Sequence, residues 1–298
     1  MLICRSVQRR VAFTLIELLV VIAIIIVLAG LAAAFMPRVQ DSTRLSSAID
    51  QLEQWLLTAK MRAKRDGLAT GLRLIPDPAD PTMFTQFQYV QQPDPLSGGT
   101  SVGAGAFNGG YCASATATAT GTIVTFGNVD FSLGGLPNQL EWLVQPGDYF
   151  ELRNGGGVHY ISTVSPNAVM VSLAQPISLT SPTANYRILR QPRPLIGENP
   201  LQMPGNLAVN HNLSYIQPNI TGTAYDVLFS PSGSVVGTNA GLSKIFLYVN
   251  DLTESPVDPA RSGIVAVQTL TGYIGAYNAA SPPLPPYYYA NQGVGSGL

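Results

Sequence analysis

Glu17 is the residue whose surroundings first demand a chemical explanation. From Leu18 to Met36 nineteen consecutive residues carry no charge, and Phe13 to Ile16 extend that apolar run upstream. A carboxylate set in hydrocarbon costs roughly 2.5–3.5 kcal/mol on insertion scales, so its presence marks a function. The chemistry on offer is pairing. A carboxylate out of water needs a cation, and the cation it finds fixes the position of whatever carries it.

Other reactive residue types are sparse and badly spaced for catalysis. His159 and His211 are the two histidines, and neither has a Cys, Asp or Glu at metal-ligand spacing. Ser230-Pro231-Ser232-Gly233-Ser234 reads as a hairpin turn, because it lacks the strained Gly-x-Ser-x-Gly elbow and an accompanying base. Gly98, Gly99, Gly103, Gly105, Gly109 and Gly110 neither follow a buried strand nor open a helix, and no Lys-Ser/Thr follows them; they read as a flexible loop. Asp251, Glu254 and Asp258 form an acidic cluster whose spacing fits no calcium loop, so it reads as solvated. The expectation is a non-enzyme without cofactor or metal.

The elements that must position Glu17 are a leader and a helix. Met1 to Ala12 contains Arg5, Arg9 and Arg10 and no acid. An apolar run of about 20 residues suffices to cross a bilayer once, and the arginine excess before it sets the N-terminus on the cytoplasmic side. The chain is therefore expected to cross once, with everything after Pro37 on the side away from the cytoplasm. A conventional signal peptide is the rival, since Ala32-Ala33-Ala34 offers an A-x-A cleavage site that would leave Phe35 first.

The order Ala12-Phe13-Thr14-Leu15-Ile16-Glu17, followed by the apolar run, resembles the cleavage and methylation signature of type IV prepilins and type II secretion pseudopilins. That resemblance implies cutting by a prepilin peptidase between Ala12 and Phe13, with N-methylation of Phe13; Ala12 stands where the family usually has Gly. It makes Glu17 the fifth mature residue, an assembly residue whose cation could be the α-amino group of a neighbouring subunit. The resemblance also implies a single-pass location in a bacterial inner membrane with the C-terminal domain periplasmic, and as partners other pseudopilins or pilins, an inner-membrane platform protein and an assembly ATPase. Residues 52–75, and more loosely Tyr225 to Gly233, are similar to the GspH/FimT-like branch of the family.

Beyond the apolar run, Leu45, Ile49, Leu52, Leu56, Ala59 and Ala63 recur at spacings of four and three, one stripe of an amphipathic helix that Gly67 should stop. A helix from Phe13 to Asp66 would be roughly 80 Å long, with Gly30 and Pro37 as the places to bend. The chain from residue 68 onward reads as β: strands broken by Gln145-Pro146-Gly147-Asp148, Asn154-Gly155-Gly156-Gly157 and Ser165-Pro166-Asn167. The expected fold class is α+β, a pilin-like transmembrane helix packed on an antiparallel β domain with a small inserted β subdomain. The expected division is a leader over 1–12, helix over 13–67, a β domain over 68–278 with an insertion at 136–190, and an extended Pro/Tyr/Gly-rich tail over 279–298.

Charge supports the same division. Residues 1–67 hold nine Lys/Arg against five Asp/Glu, while 68–298 hold seven against twelve. The acidic remainder has no basic patch, which argues against phosphate-driven nucleic-acid binding. Removal of the leader would take Cys4 and leave Cys112 alone, so no intrachain disulfide is expected. The reading is a minor pseudopilin-like structural subunit that helps protein export. Its alternatives are a minor type IV pilin for adhesion or DNA uptake, and an anchored β-domain binding module. Intact-mass analysis of the native protein should give a chain starting at methylated Phe13; a start at Phe35 would return the signal-peptide reading.

Overall fold

A computed structural model describes residues 15–97, 117–126, 143–152, 157–165, 170–177, 186–219, 224–252 and 257–293; the side chains of 31–42, 97, 117–121, 125–126, 152, 170–171, 176–177 and 260 lie outside that description. Helix α1 (Leu15–Asp66) runs on through Gly30 and Pro37 as one element. Its end has a local cause. Gly67 adopts φ 69° and donates its N–H to the Ala63 carbonyl, the left-handed cap that glycine takes without a Cβ penalty.

Sixteen strands come next in chain order: β1 (Thr70–Pro76), β2 (Met83–Gln91), β3 (Leu96–Ser97), β4 (Ala117–Phe126), β5 (Tyr149–Leu152), β6 (Val158–Val164), β7 (Met170–Ile177) and β8 (Tyr186–Leu189), then β9 (Arg193–Pro194), β10 (Leu201–Gln202), β11 (Leu207–Tyr215), β12 (Tyr225–Phe229), β13 (Val235–Val236), β14 (Lys244–Asp251), β15 (Gly263–Gln268) and β16 (Ile274–Asn278). A five-residue helix, α2 (Tyr288–Gln292), closes the described chain. The main sheet runs β13-β12-β1-β2-β11-β14-β15-β16, with β9 and β10 also on β2. A second sheet runs β3-β8-β5-β6-β7-β4, so it draws on residues from Leu96 onward, upstream of the insertion expected at 136–190. Every described strand pair is antiparallel.

The expected fold class needs correcting. The chain is mostly β-sheet, and among the described residues no helix is long and apolar enough to cross a membrane. Crossing about 30 Å of hydrocarbon takes about 20 predominantly apolar residues in one helix, and no described helix offers such a window. The single-pass inner-membrane location, with its cytoplasmic and periplasmic sides, rested on that span and is withdrawn with it.

The outer half of α1 is seated as its periodicity predicts. Leu45, Ala48, Ile49, Leu52, Leu56, Ala59 and Ala63 are all buried, in one cluster with Leu72, Phe87, Val227, Phe229, Leu247 and Val265. Ala59 and Ala63 let the helix approach closely, and Gly263 does the same from the sheet: a Cβ there would collide with Ile49 Cδ1. Strand β14 explains why one sheet can serve two layers. Ile245, Leu247 and Val249 face the helix cluster, while Phe246 and Tyr248 join Ile264, Tyr277, Ala279 and Ala290 in a second cluster. An apolar run without alternation is what a strand covered on both faces requires.

The second layer comes from the tail. Tyr287 stacks on Phe246 at 4.7 Å between centroids and donates its hydroxyl to the Leu213 carbonyl. Lys244 donates to the Ala290 and Asn291 carbonyls at the end of α2. Composition alone reads this segment as extended or disordered. It packs because the apolar face it meets is built from strands far away in sequence. Substituting Leu52→Ala should destabilise by about 2–5 kcal/mol, the cost of a buried Leu and its cavity. Gly263→Val should cost about 1–3 kcal/mol by pushing α1 off β15. Urea unfolding followed by the fluorescence of Trp55, which packs on Phe87, measures both.

Candidate functional site

The inner half of α1 is the surface the fold leaves unfinished. Every residue from Leu15 to Gly30 is exposed. Twelve of them are large and apolar, among them Leu18, Leu19, Ile22, Ile25 and Ile26, and they lie on every side of the helix. A helix apolar all round belongs inside a core. No described part of this chain supplies one for it.

Glu17 lies in the first turn of α1, where the helix dipole favours a negative charge. It is exposed and, with Ile16, Val20 and Val21, lines a shallow cavity. The helix therefore presents one carboxylate against an apolar surround. Ala12 and Phe13, the expected cleavage and methylation positions, lie outside the described residues. So do Cys4, Cys112, Glu254 and the glycines between 98 and 110.

The remaining candidates resolve into structural roles. His211 shares a 2.6 Å hydrogen bond between Nε2 and the Tyr225 hydroxyl, and Phe84 stacks on its ring at 5.9 Å. His159 lies on β6, paired across to Phe150. Ser230, Ser232 and Ser234 bring their hydroxyls together at 2.7–3.3 Å, and the Ser230 N–H donates to the Ser234 carbonyl; this is the turn between β12 and β13. No group of three or more His, Cys, Asp or Glu among the described residues could hold a metal.

Three arrangements escape sequence reasoning. Lys60 Nζ donates to the Thr271 carbonyl at 3.2 Å and the Gly272 carbonyl at 2.8 Å, tying α1 to the β15–β16 turn. Arg62 reaches Glu198 at 2.8 Å and lies over the Tyr89 ring at 4.3 Å. The third holds the passage between the sheets. Arg73 makes a two-pronged bond to Asp226, 2.7 Å at each prong, and donates to the Pro192 carbonyl. One residue on, Arg193 donates to Asp148, which also accepts from the Gln145 and Gln191 backbone N–H groups. Burial raises the pKa of Asp148, while Arg193 and those N–H groups pull it back down. A lone Arg in the apolar strand Thr70–Pro76 is the available signal for this network.

Comparison with protein-family models, curated proteins and solved structures found no match for this chain. Asp226 is 4% exposed and Arg73 19%. Asp226→Ala would strand the guanidinium in that setting, and the expected loss is about 3–5 kcal/mol in a chemical-denaturation midpoint. Asp226→Asn, which keeps one acceptor, should lose less.

Proposed function

We propose that this chain is a pseudopilin-like structural subunit, which works by being built into a filament through the inner half of α1 and so helps protein export. The observation that supports this reading is the all-round apolar exposure of Leu15 to Leu28, with one carboxylate at its start. Such a helix is covered by similar helices, either copies of this chain or kindred subunits. The β domain, anchored to the outer half by the Leu45–Ala63 stripe, is then carried at the filament surface.

Magnitudes favour assembly over solitary existence. Covering a large apolar side chain is worth about 1.5–3 kcal/mol. With twelve such side chains exposed, the gross gain is of order tens of kcal/mol, above the roughly 4–15 kcal/mol that association costs in lost freedom. Glu17 adds little to that sum. Its part is to make staggers differ in energy, because hydrocarbon set against a carboxylate is disfavoured. The resemblance that names this family also implies leader removal before Phe13, a platform protein and an assembly ATPase.

The test is co-assembly of the full chain, measured by sedimentation and electron microscopy. Leu19→Asp should abolish it, because a second acid in the apolar half has no partner. Glu17→Ala should give assemblies that are fewer and irregular in repeat, with the melting temperature of the β domain unchanged. Wild-type protein that stays monomeric at every concentration, or Leu19→Asp protein that assembles normally, would end the proposal.

A further inference from the structure

The two sheets are joined without a shared apolar core. Among the described residues the chain passes between them at two places: Gln92-Pro93-Asp94-Pro95, from β2 to β3, and Arg190-Gln191-Pro192, from β8 to β9. No described strand of one sheet pairs with a strand of the other. Leu96, Phe150, Ile161, Leu173 and Ile188 are buried, yet neither the helix-side cluster nor the tail-side cluster takes a residue from Leu96 to Leu189. A body without a large apolar seam to its neighbour moves as a unit unless something polar holds it.

The two crossings lie side by side. Gln92 Nε2 donates to the Arg190 carbonyl at 3.1 Å, and Arg190 Nε donates to the Asp94 carbonyl at 2.8 Å. Two segments bonded to each other act as one hinge rather than as separate tethers. Beside that hinge stands Asp148, in the turn before β5, with its side chain only 1% exposed. Its Oδ2 accepts from the Gln145 N–H of the same turn at 2.9 Å and from Arg193 on β9 at 3.2 Å. Its Oδ1 accepts from the Gln191 N–H of the crossing at 2.7 Å. Arg193 adds a bond to the Leu143 carbonyl at 2.9 Å. One buried carboxylate thus gathers donors from the second sheet's chain, from the hinge and from the main sheet.

We infer that the second sheet is a hinged module, and that Asp148 is the latch that sets its angle to the main sheet. Hydrogen bonds from one carboxylate to three segments hold only while those segments keep their relation, so a swing of the module breaks them together. The latch is balanced rather than permanent. Its bonds are charge-assisted, but hiding a carboxylate and a guanidinium from water cancels much of what they give. Opening returns both groups to water and leaves each sheet's core intact. The joint therefore opens at a lower cost than either body unfolds. None of this depends on the filament reading.

Trypsin acting on the folded full-length protein reads the joint, because Arg190 lies in one crossing and Arg187 lies three residues earlier within β8. Asp148→Ala strands the Arg193 guanidinium and two backbone N–H groups. It should speed cutting after Arg190 by about tenfold or more, since cutting tracks the population of the open form. Cutting after Arg187 should stay at the wild-type rate, and so should the urea midpoint read by Trp55, which packs on Phe87 in the main core. Unchanged cutting after Arg190 would overturn the inference. Faster cutting at Arg187 and Arg190 together would also overturn it, by making Asp148 a prop of the second sheet's own fold. A fallen Trp55 midpoint would do the same, because the two sheets would then unfold as one unit.

Discussion

An apolar helix surface that no described part of its own chain covers is the constraint on which the rest of this molecule depends. Water tolerates scattered apolar side chains on a folded protein, but a continuous apolar cylinder about 21 Å long, Leu15 to Leu28, is a different object. Its exposure is worth tens of kcal/mol by area, several times the stability of an ordinary domain. The β domain therefore has to do two things. It must hold the other half of the helix firmly enough to present the bare half, and it must not consume that half in its own core.

Both requirements are met by how the core is partitioned. The main sheet is covered on one face by the outer half of α1, and β14 to β16 are covered on the other by the tail around Tyr287 and Ala290. Since these faces are already filled, the inner half of α1 has no competing seat on them. Gly263 and the alanines at 59 and 63 bring the helix close, and Lys60 and Arg62 tie its last turns to a turn of the sheet and to Glu198. Buried ion pairs at Arg73–Asp226 and Arg193–Asp148 add little net stability by themselves. Arg73 and Asp226 face each other across β1 and β12 within the main sheet, whereas Arg193 on β9 reaches Asp148 beside β5 and so links the main sheet to the second. The second pair therefore has its partner at the right distance only when the second sheet is set against the first.

Much of this is legible in the sequence because it is local. The 4-3 spacing from Leu45 to Ala63, the glycine after Asp66, and runs such as Val158–Val164 each carry their own periodicity or punctuation. The features that sequence reasoning misses depend on distant partners. Tyr287 reads as a tail residue until Phe246 and Leu213 are placed beneath it. Lys60 reads as one more solvated helix lysine, since the carbonyls that hold it lie more than 200 residues away. The second sheet reads as a narrow insertion because β3 and β4 are separated from their partners β8 and β7 by long intervals. The expected membrane span over Leu18 to Met36 has a different origin. Apolar length in a sequence reads as bilayer thickness, whereas a bundle of like helices asks for the same composition.

A carboxylate in such a bundle is better understood through what its own helix does for it. Glu17 stands in the first turn of α1, where unpaired backbone N–H groups carry partial positive charge. That placement is worth about 0.3–1 kcal/mol at an exposed position and more as water leaves. Part of the cost of enclosing the charge is thus offset before any neighbour arrives. A carboxylate further along, at Ile22 or Ile26, would have no such help and would oppose assembly outright. On the filament reading we propose, a carboxylate at the start of the helix leaves assembly favourable and penalises each stagger that brings hydrocarbon opposite it. Apolar surface by itself lets helices slide past one another at little cost. One acid at a helix terminus is enough to make a single register the lowest in energy.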